Sequence, residues 1–183
     1  MKRLIFCLQS QKTKIHDNLF PAKAKGVILL LFIVSVSYYS YGQTVFELGS
    51  KLAEMKGSSD TTLIREAARI ESLVYHLQPT IYIEENVLKA YGETPAVRVR
   101  VDAQSVGKLL ESNPLFSQVE LITITINSPA DLNFSLNLTS LPGFTKLKYI
   151  HFLCSFNCAP ESFINLYIPN PQVTVFYVVS IPF

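Results

Sequence analysis

The spacing of apolar residues changes at Pro79, and this change constrains the fold more than any other feature of the sequence. Before Pro79, apolar residues recur at steps of three and four, which is typical of amphipathic helices. After it, segments such as residues 96–101 alternate apolar and polar side chains, as half-buried strands do. We therefore expect an α/β or α+β domain, in which N-terminal helices precede a sheet of about four strands.

Two helices are predicted before Pro79, where the apolar spacing changes. Their apolar stripes are Val45, Leu48, Leu52 and Met55 in the first, and Leu63, Ala67, Ile70, Leu73, Val74 and Leu77 in the second. A break at residues 57–60 separates them, and Ser59 or Asp60 can cap the second helix, which Pro79 ends. We expect these helices to pack on the sheet that follows.

Strand candidates rich in β-branched and aromatic residues follow Pro79. They are residues 81–83, 96–101, 119–126, 147–153 and 173–179. Residues 103–112 form a short predicted helix, which Pro114 closes.

An uncharged apolar segment at residues 26–41 follows six basic residues. Cations, a short apolar run and then small residues are the pattern of a secretory signal, with cleavage expected near Gly42 or Gln43. An uncleaved membrane anchor is the alternative, although a spanning helix needs about 20 apolar residues. Residues 1–43 are thus predicted to be a signal peptide or anchor, with membrane contact only through residues 26–41 if uncleaved. Residues 44–183 are predicted to be one exported domain, helical over 44–79 and strand-rich over 80–183.

The charge of the chain divides at the same place. The formal net charge of +2 comes from a leader of +5 and a remaining domain with 10 basic and 13 acidic residues. A domain with a net charge of −3 lacks the basic surface of a nucleic-acid binder, so we exclude that class of partner.

Two cysteines remain beyond the leader, Cys154 and Cys158. In an oxidising compartment they are candidates for a disulfide, provided that the chain turns between them. Buried free thiols are the alternative. The spacing does not match a redox CxxC motif, and a metal site would need further ligands.

No catalytic motif is present. The sequence has no GxSxG, HExxH, phosphate-binding loop or dinucleotide fingerprint. His76 and His151 are the histidines of the exported part, and Glu84-Glu85 is interpreted as a solvated turn. We predict no catalytic residues, no metal and no cofactor.

A short pattern recurs along the strands. Val119, Ile122, Ile124 and Asn127 stand at the spacing of the leucine-rich-repeat core, which this region resembles. Phe144, Leu147, Ile150 and Phe152 repeat it with Ser155 in place of asparagine, and Val173, Phe176 and Val178 repeat it again. Ala96, Val99 and Val101 fit more loosely. The resemblance covers residues 96–183 and implies a solenoid-like fold; a plain α+β domain is the alternative.

The resemblance implies an exposed sheet face that binds a partner. The residues expected there as contacts are Arg98, Arg100, Tyr149, His151 and Tyr177. If the helices at 45–78 cover this face instead, its aromatic residues belong to the core.

The leading hypothesis is an exported, non-catalytic binding or structural domain, whose partner is another protein or a surface glycan. The alternatives are a small exported enzyme of hydrolase type and a subunit of a cell-envelope assembly.

Overall fold

The computed structural model describes residues 44–181, and the leader predicted at residues 1–43 lies outside them. Between residues 44 and 181, no helix has the length and apolar character needed to cross a membrane. The candidate segment at residues 26–41 is not among the described residues.

The N-terminal part of the domain begins with a strand and continues with two helices. Strand β1 (Val45–Glu47) leads directly into helix α1 (Leu48–Lys56), and helix α2 (Thr61–Tyr75) follows. The Glu47 carboxylate caps α1, accepting hydrogen bonds from the Gly49 N–H at 2.9 Å and the Ser50 N–H at 2.6 Å. The prediction that Val45 belongs to the helix is therefore wrong, since the capping residue ends a strand. Asp60 caps α2, as predicted, by accepting the Thr62 N–H at 2.7 Å.

The rest of the chain forms strands joined by loops and 3₁₀ turns. The strands are β2 (Thr80–Glu84), β3 (Val87–Tyr91), β4 (Arg98–Asp102), β5 (Leu121–Ile126), β6 (Leu136–Asn137), β7 (Tyr149–Cys154), β8 (Tyr167–Ile168) and β9 (Thr174–Val179). The 3₁₀ segments are Ala103–Leu110, Pro114–Gln118, Pro129–Asp131 and Pro160–Phe163.

Seven of these strands form one mixed sheet in the order β1-β9-β7-β5-β4-β2-β3. All neighbours are parallel except the hairpin of β2 and β3, and β6 pairs with β8 in a separate small sheet. The domain is thus α/β, and its sheet is larger than the four strands predicted. The strands of this sheet that had not been predicted are β1, which precedes the first helix, and β3, the outer strand of the edge hairpin.

The hairpin turns at Glu85 and Asn86, which have positive φ angles of 52° and 61°. Positive φ at both central residues is the requirement of a type I′ turn, the tight turn that suits the twist of two paired strands. The Glu85 N–H donates to Asp102 Oδ2 and the Asn86 N–H donates to Ser105 Oγ, each at 2.9 Å. Glu85 thus lies in an exposed turn, as predicted, whereas Glu84 is the exposed last residue of β2.

One face of the main sheet carries the larger hydrophobic core. Its strand residues are Ile81, Ile83, Val99, Val101, Ile122, Ile124, Ile126, Ile150, Phe152, Cys154 and Val175, all fully buried. The 3₁₀ segments and the small sheet cover this face with Val106, Leu109, Phe116, Phe163 and Tyr167. The Phe152 ring stacks on that of Phe163 with centroids 4.8 Å apart. We call this the covered face.

The opposite face is the helix face. Here α1 and α2 pack on Leu121, Tyr149 and Phe176. Because Leu121 and Tyr149 are the first residues of β5 and β7, the helices lie over the amino-terminal half of these strands.

Polar contacts fasten α2 to the same end of the sheet. Glu120 forms ion pairs with Arg69 at 2.6 Å and with Lys148 at 3.2 Å. Burial alone would raise the pKa of Glu120, but hydrogen bonds from these two cations hold it below its usual value. The Tyr149 hydroxyl also donates to Glu66 at 3.2 Å. The carboxyl-terminal half of the helix face lies beyond these contacts.

Candidate functional site

Three polar side chains stand in one row across the centre of the helix face. The register pairs Arg100 of β4 with Thr123 of β5, and Thr123 with His151 of β7. Alternate residues of a strand point to opposite faces, so all three lie on the face opposite Val101, Ile124 and Phe152. Such polar side chains are absent from the equivalent strand positions of the covered face within residues 44–181.

The row borders a pocket of about 250 Å³. The end of α2 contributes Val74 and Tyr75, and the remaining residues come from strands of the sheet and from Ser180, which follows β9. The described residues that line it are Val74, Tyr75, Arg98, Arg100, Thr123, His151, Leu153, Val178 and Ser180. The pocket opens where α2 stops, toward the carboxyl ends of the parallel strands, where α/β sheets commonly bind ligands.

His151 is the most unusual residue of the pocket. Its side chain is buried, and its Nε2 atom has no hydrogen-bond partner among the described residues. Burial, followed by the nearby charges of Arg100 and Arg98, lowers the pKa of His151 to about 4. The imidazole is therefore neutral at pH 7. A buried polar atom without a partner costs about 1–3 kcal/mol, so it indicates a place where a ligand or water supplies the missing hydrogen bond.

The two arginines of β4 have different surroundings. Arg98 is half-buried, and its Nη1 donates to the Leu73 carbonyl at 2.9 Å and the Val74 carbonyl at 3.3 Å. Its Nε donates to Thr80 Oγ1 at 3.0 Å. Arg98 thus satisfies the last carbonyls of α2, as cations near helix C-termini do. Arg100 is exposed and makes no hydrogen bond or ion pair with any described residue, so its guanidinium is free to bind a ligand.

Neither of the two tyrosines expected as contacts lines the pocket. Tyr149 is on the predicted face but is buried beneath α2, where burial and the charge of Glu66 raise its pKa. Tyr177 lies on the covered face, with its ring 5.5 Å from that of Phe163.

The error at Tyr177 is a shift of one residue. Val175, not Phe176, pairs with Ile150, so Phe176 and Val178 point to the helix face. A shift of one residue exchanges the two faces of a strand. The alternation could not reveal the error, because Val175, Phe176, Tyr177 and Val178 are all apolar or aromatic.

The cysteine pair lies on the other side of the sheet. Cys154 ends β7, and both it and Cys158 are buried free thiols. Burial, together with a hydrogen bond to Cys158, raises the pKa of Cys154. The thiols are close enough to interact, and the disulfide stays a prediction.

Among its described residues, the pocket lacks the parts of a hydrolytic triad. It offers hydroxyls at Thr123 and Ser180 and an imidazole at His151, without a carboxylate to orient that imidazole. His76 is exposed at the end of α2 and does not line the pocket. Within residues 44–181 no group of three His, Cys, Asp or Glu is placed to hold a metal ion.

Sequence reasoning missed the helix-derived wall formed by Val74 and Tyr75. Val74 belonged to the predicted core stripe, and nothing in the local pattern indicates that the helix stops halfway along the strands. Comparison with family models, curated proteins and solved structures finds no match for this chain.

Proposed function

We propose that residues 44–183 form an exported, non-catalytic binding domain, and that its ligand occupies the pocket between Arg100 and His151. The observation that carries this proposal is that, within residues 44–181, neither the Nε2 atom of buried His151 nor the guanidinium of Arg100 in the same pocket has a hydrogen-bond partner. A folded domain gains no stability from either feature, whereas a ligand with hydrogen-bond acceptors would use both.

Export is part of the same proposal. It is supported by the basic leader and the apolar run at residues 26–41, after which the described domain begins within a few residues. An exported binding domain meets partners outside the cytoplasm, and we propose another protein or a surface glycan as the carrier of the ligand.

The leucine-rich-repeat-like interpretation is also a proposal. Strands β4, β5, β7 and β9 lie side by side in the sheet in the order in which they occur in the chain. Val99, Ile122 and Ile150 align across the first three as the repeat frame requires, which supports a repeated strand unit, whereas the aligned residue of β9 is Val175 and not Phe176. The Ser155 hydroxyl donates to Asn127 Oδ1 at 3.1 Å, so the two turn positions are in register. The helices on the opposite face distinguish this domain from an open solenoid.

A ligand screen tests the proposed function. The full-length protein and the Arg100→Ala variant are heated with a panel of capped amino acids, sugars, sugar acids, nucleosides and inorganic anions. We expect at least one compound to raise the unfolding temperature of the natural protein and not that of Arg100→Ala, because a ligand stabilises only the state that binds it.

The matched control is Lys89→Ala. Lys89 pairs with Tyr82 and so lies on the same sheet face, but it does not line the pocket. A binding role for this pocket would be contradicted if every stabilising compound raised the unfolding temperature of all three proteins equally, or if no compound raised it in a way that depends on Arg100.

A further inference from the structure

We propose that the pocket takes a carboxylate carried on a compact aliphatic group, with Arg100, Thr123 and His151 as its hydrogen-bond donors. This inference rests on the proposed function and names its ligand class. It is carried by the order of the three side chains, by the charge around them and by the size and lining of the pocket.

The order of the side chains suits one planar anion. Arg100, Thr123 and His151 lie on three adjacent strands, so their backbones span only about 10 Å. All three line the same pocket. A guanidinium can donate two parallel hydrogen bonds to a carboxylate, and a hydroxyl and an imidazole N–H can donate to its oxygens from the side.

The charges around the pocket favour a ligand that carries a single negative charge. Arg98 and Arg100 border the pocket, and none of its described lining residues is acidic. The Arg98 guanidinium already serves the end of α2, which leaves Arg100 as the cation available to a ligand.

A second negative charge on the ligand would be unfavourable. Arg100 also borders a neighbouring cavity of about 370 Å³, which Glu84, Glu85 and Asp102 line. These carboxylates repel a dianion, so a monocarboxylate fits the local charge better than a phosphate. His151 stays neutral, because burial and the two arginines lower its pKa, and it adds a donor without adding a charge.

The apolar side chains that line the pocket determine which group can accompany the carboxylate. Val74, Leu153 and Val178 are aliphatic, and the Tyr75 ring completes the wall from α2. A dry cavity of about 150 Å³ holds a benzene ring, so about 250 Å³ admits a carboxylate with a branched side chain of four carbons. A hexuronate is larger and carries hydroxyls on all sides, which these walls leave without partners.

Two sources can supply this group: a free aliphatic acid or the C-terminal residue of a polypeptide. The test is a calorimetric titration of the full-length protein with N-acetyl-L-leucine, which imitates a C-terminal residue, and with 4-methylpentanoate, the free acid. N-acetyl-L-leucinamide is the matched control ligand, because it lacks only the carboxylate. Glucuronate and inorganic phosphate complete the set.

We expect at least one aliphatic acid to bind, and the amide to bind at least tenfold more weakly. Arg100→Ala should weaken the binding of the acid by roughly 10- to 100-fold, the effect of losing charge-assisted hydrogen bonds. Lys89→Ala should leave it unchanged. The tighter of the two acids identifies the source of the carboxylate.

The inference would be overturned if the acid and the amide bound equally well, if glucuronate or phosphate bound more tightly than either aliphatic acid, or if neither acid bound. A different result separates this inference from the proposed function. A ligand from the screen that depends on Arg100 but has no carboxylate would leave the binding role standing and refute only the ligand class.

Discussion

The two faces of the main sheet use the same strands for different purposes. The covered face presents Ile124 and Phe152 to a continuous apolar core. The helix face presents Thr123 and His151 at the adjacent positions, and α1 and α2 cover only its amino-terminal half. Apolar packing stabilises the domain on both faces, through the core of the covered face and through the contacts of the helices with Leu121, Tyr149 and Phe176. The carboxyl-terminal part of the helix face around Thr123 and His151, which we call the open half, instead keeps polar groups that packing does not need.

We expect the largest difference in stability between the two faces from substitutions at two adjacent residues of β7, Phe152 and Leu153. Phe152→Ala removes a buried ring that stacks on Phe163, and we expect the free energy of unfolding to fall by about 3–5 kcal/mol. Leu153→Ala, on the open half of the helix face, should cost only about 1 kcal/mol, because Leu153 is half-buried. Urea denaturation measures both. Similar losses for the two variants would contradict the difference between the faces.

The pH dependence of stability tests the burial of His151. Its pKa is about 4 in the folded protein and near 6.5 in the unfolded chain, so the unfolded chain binds more protons between these values. Stability should therefore be fully present above about pH 6.5 and fall by about 3 kcal/mol on acidification to pH 4. The charged groups that face His151 are Arg98 and Arg100 on β4, and Tyr75 is the titratable group that α2 contributes.

Urea denaturation at several pH values measures this effect, with His151→Leu as the control. The variant keeps every other titrating group, so the difference between the two proteins isolates the histidine. We expect the variant to lose less stability than the natural protein as the pH falls from 6.5 to 4. Parallel pH profiles would show that His151 is not buried as a neutral imidazole.

Substitutions of the two arginines of β4 should have different effects on stability, although both residues lie on the helix face. Arg98→Ala leaves the carbonyls of Leu73 and Val74 without their donor, and we expect a loss of about 2 kcal/mol. Arg100→Ala should change stability by less than about 0.5 kcal/mol, because Arg100 is exposed and unpaired among the described residues. Equal destabilisation by the two substitutions, measured by urea denaturation, would show that Arg100 has a structural role.

Much of the fold could be predicted from the sequence. The stripe of Ala67, Ile70 and Leu73 and the cap at Asp60 predicted α2, since both signals are local. The helix ends at Tyr75, before the predicted end at Pro79, and Leu77 of the predicted stripe is exposed. The alternation of residues 96–101 predicted β4 and the faces of Arg98 and Arg100 correctly. Strand β1 was missed because its three residues form a strand only by pairing with β9.

The site could be predicted only in part. The repeat frame of the leucine-rich-repeat resemblance placed Arg100 and His151 on one face, and both line one pocket in the structure. Alternation could not show that α2 covers Tyr149 or that Tyr177 faces the other side, because these facts depend on tertiary packing and on the register of β9. Local patterns therefore specify faces, and contacts between distant elements specify which part of a face stays open.

The most direct test of the central claim is the stability of His151→Leu at pH 8 without ligand. If the imidazole is kept for binding, replacing its unpartnered nitrogen with an apolar side chain should leave the free energy of unfolding unchanged or raise it by up to about 1 kcal/mol. A loss of about 2 kcal/mol or more, the cost of breaking well-made buried interactions, would mean that His151 stabilises the fold and is not kept for binding.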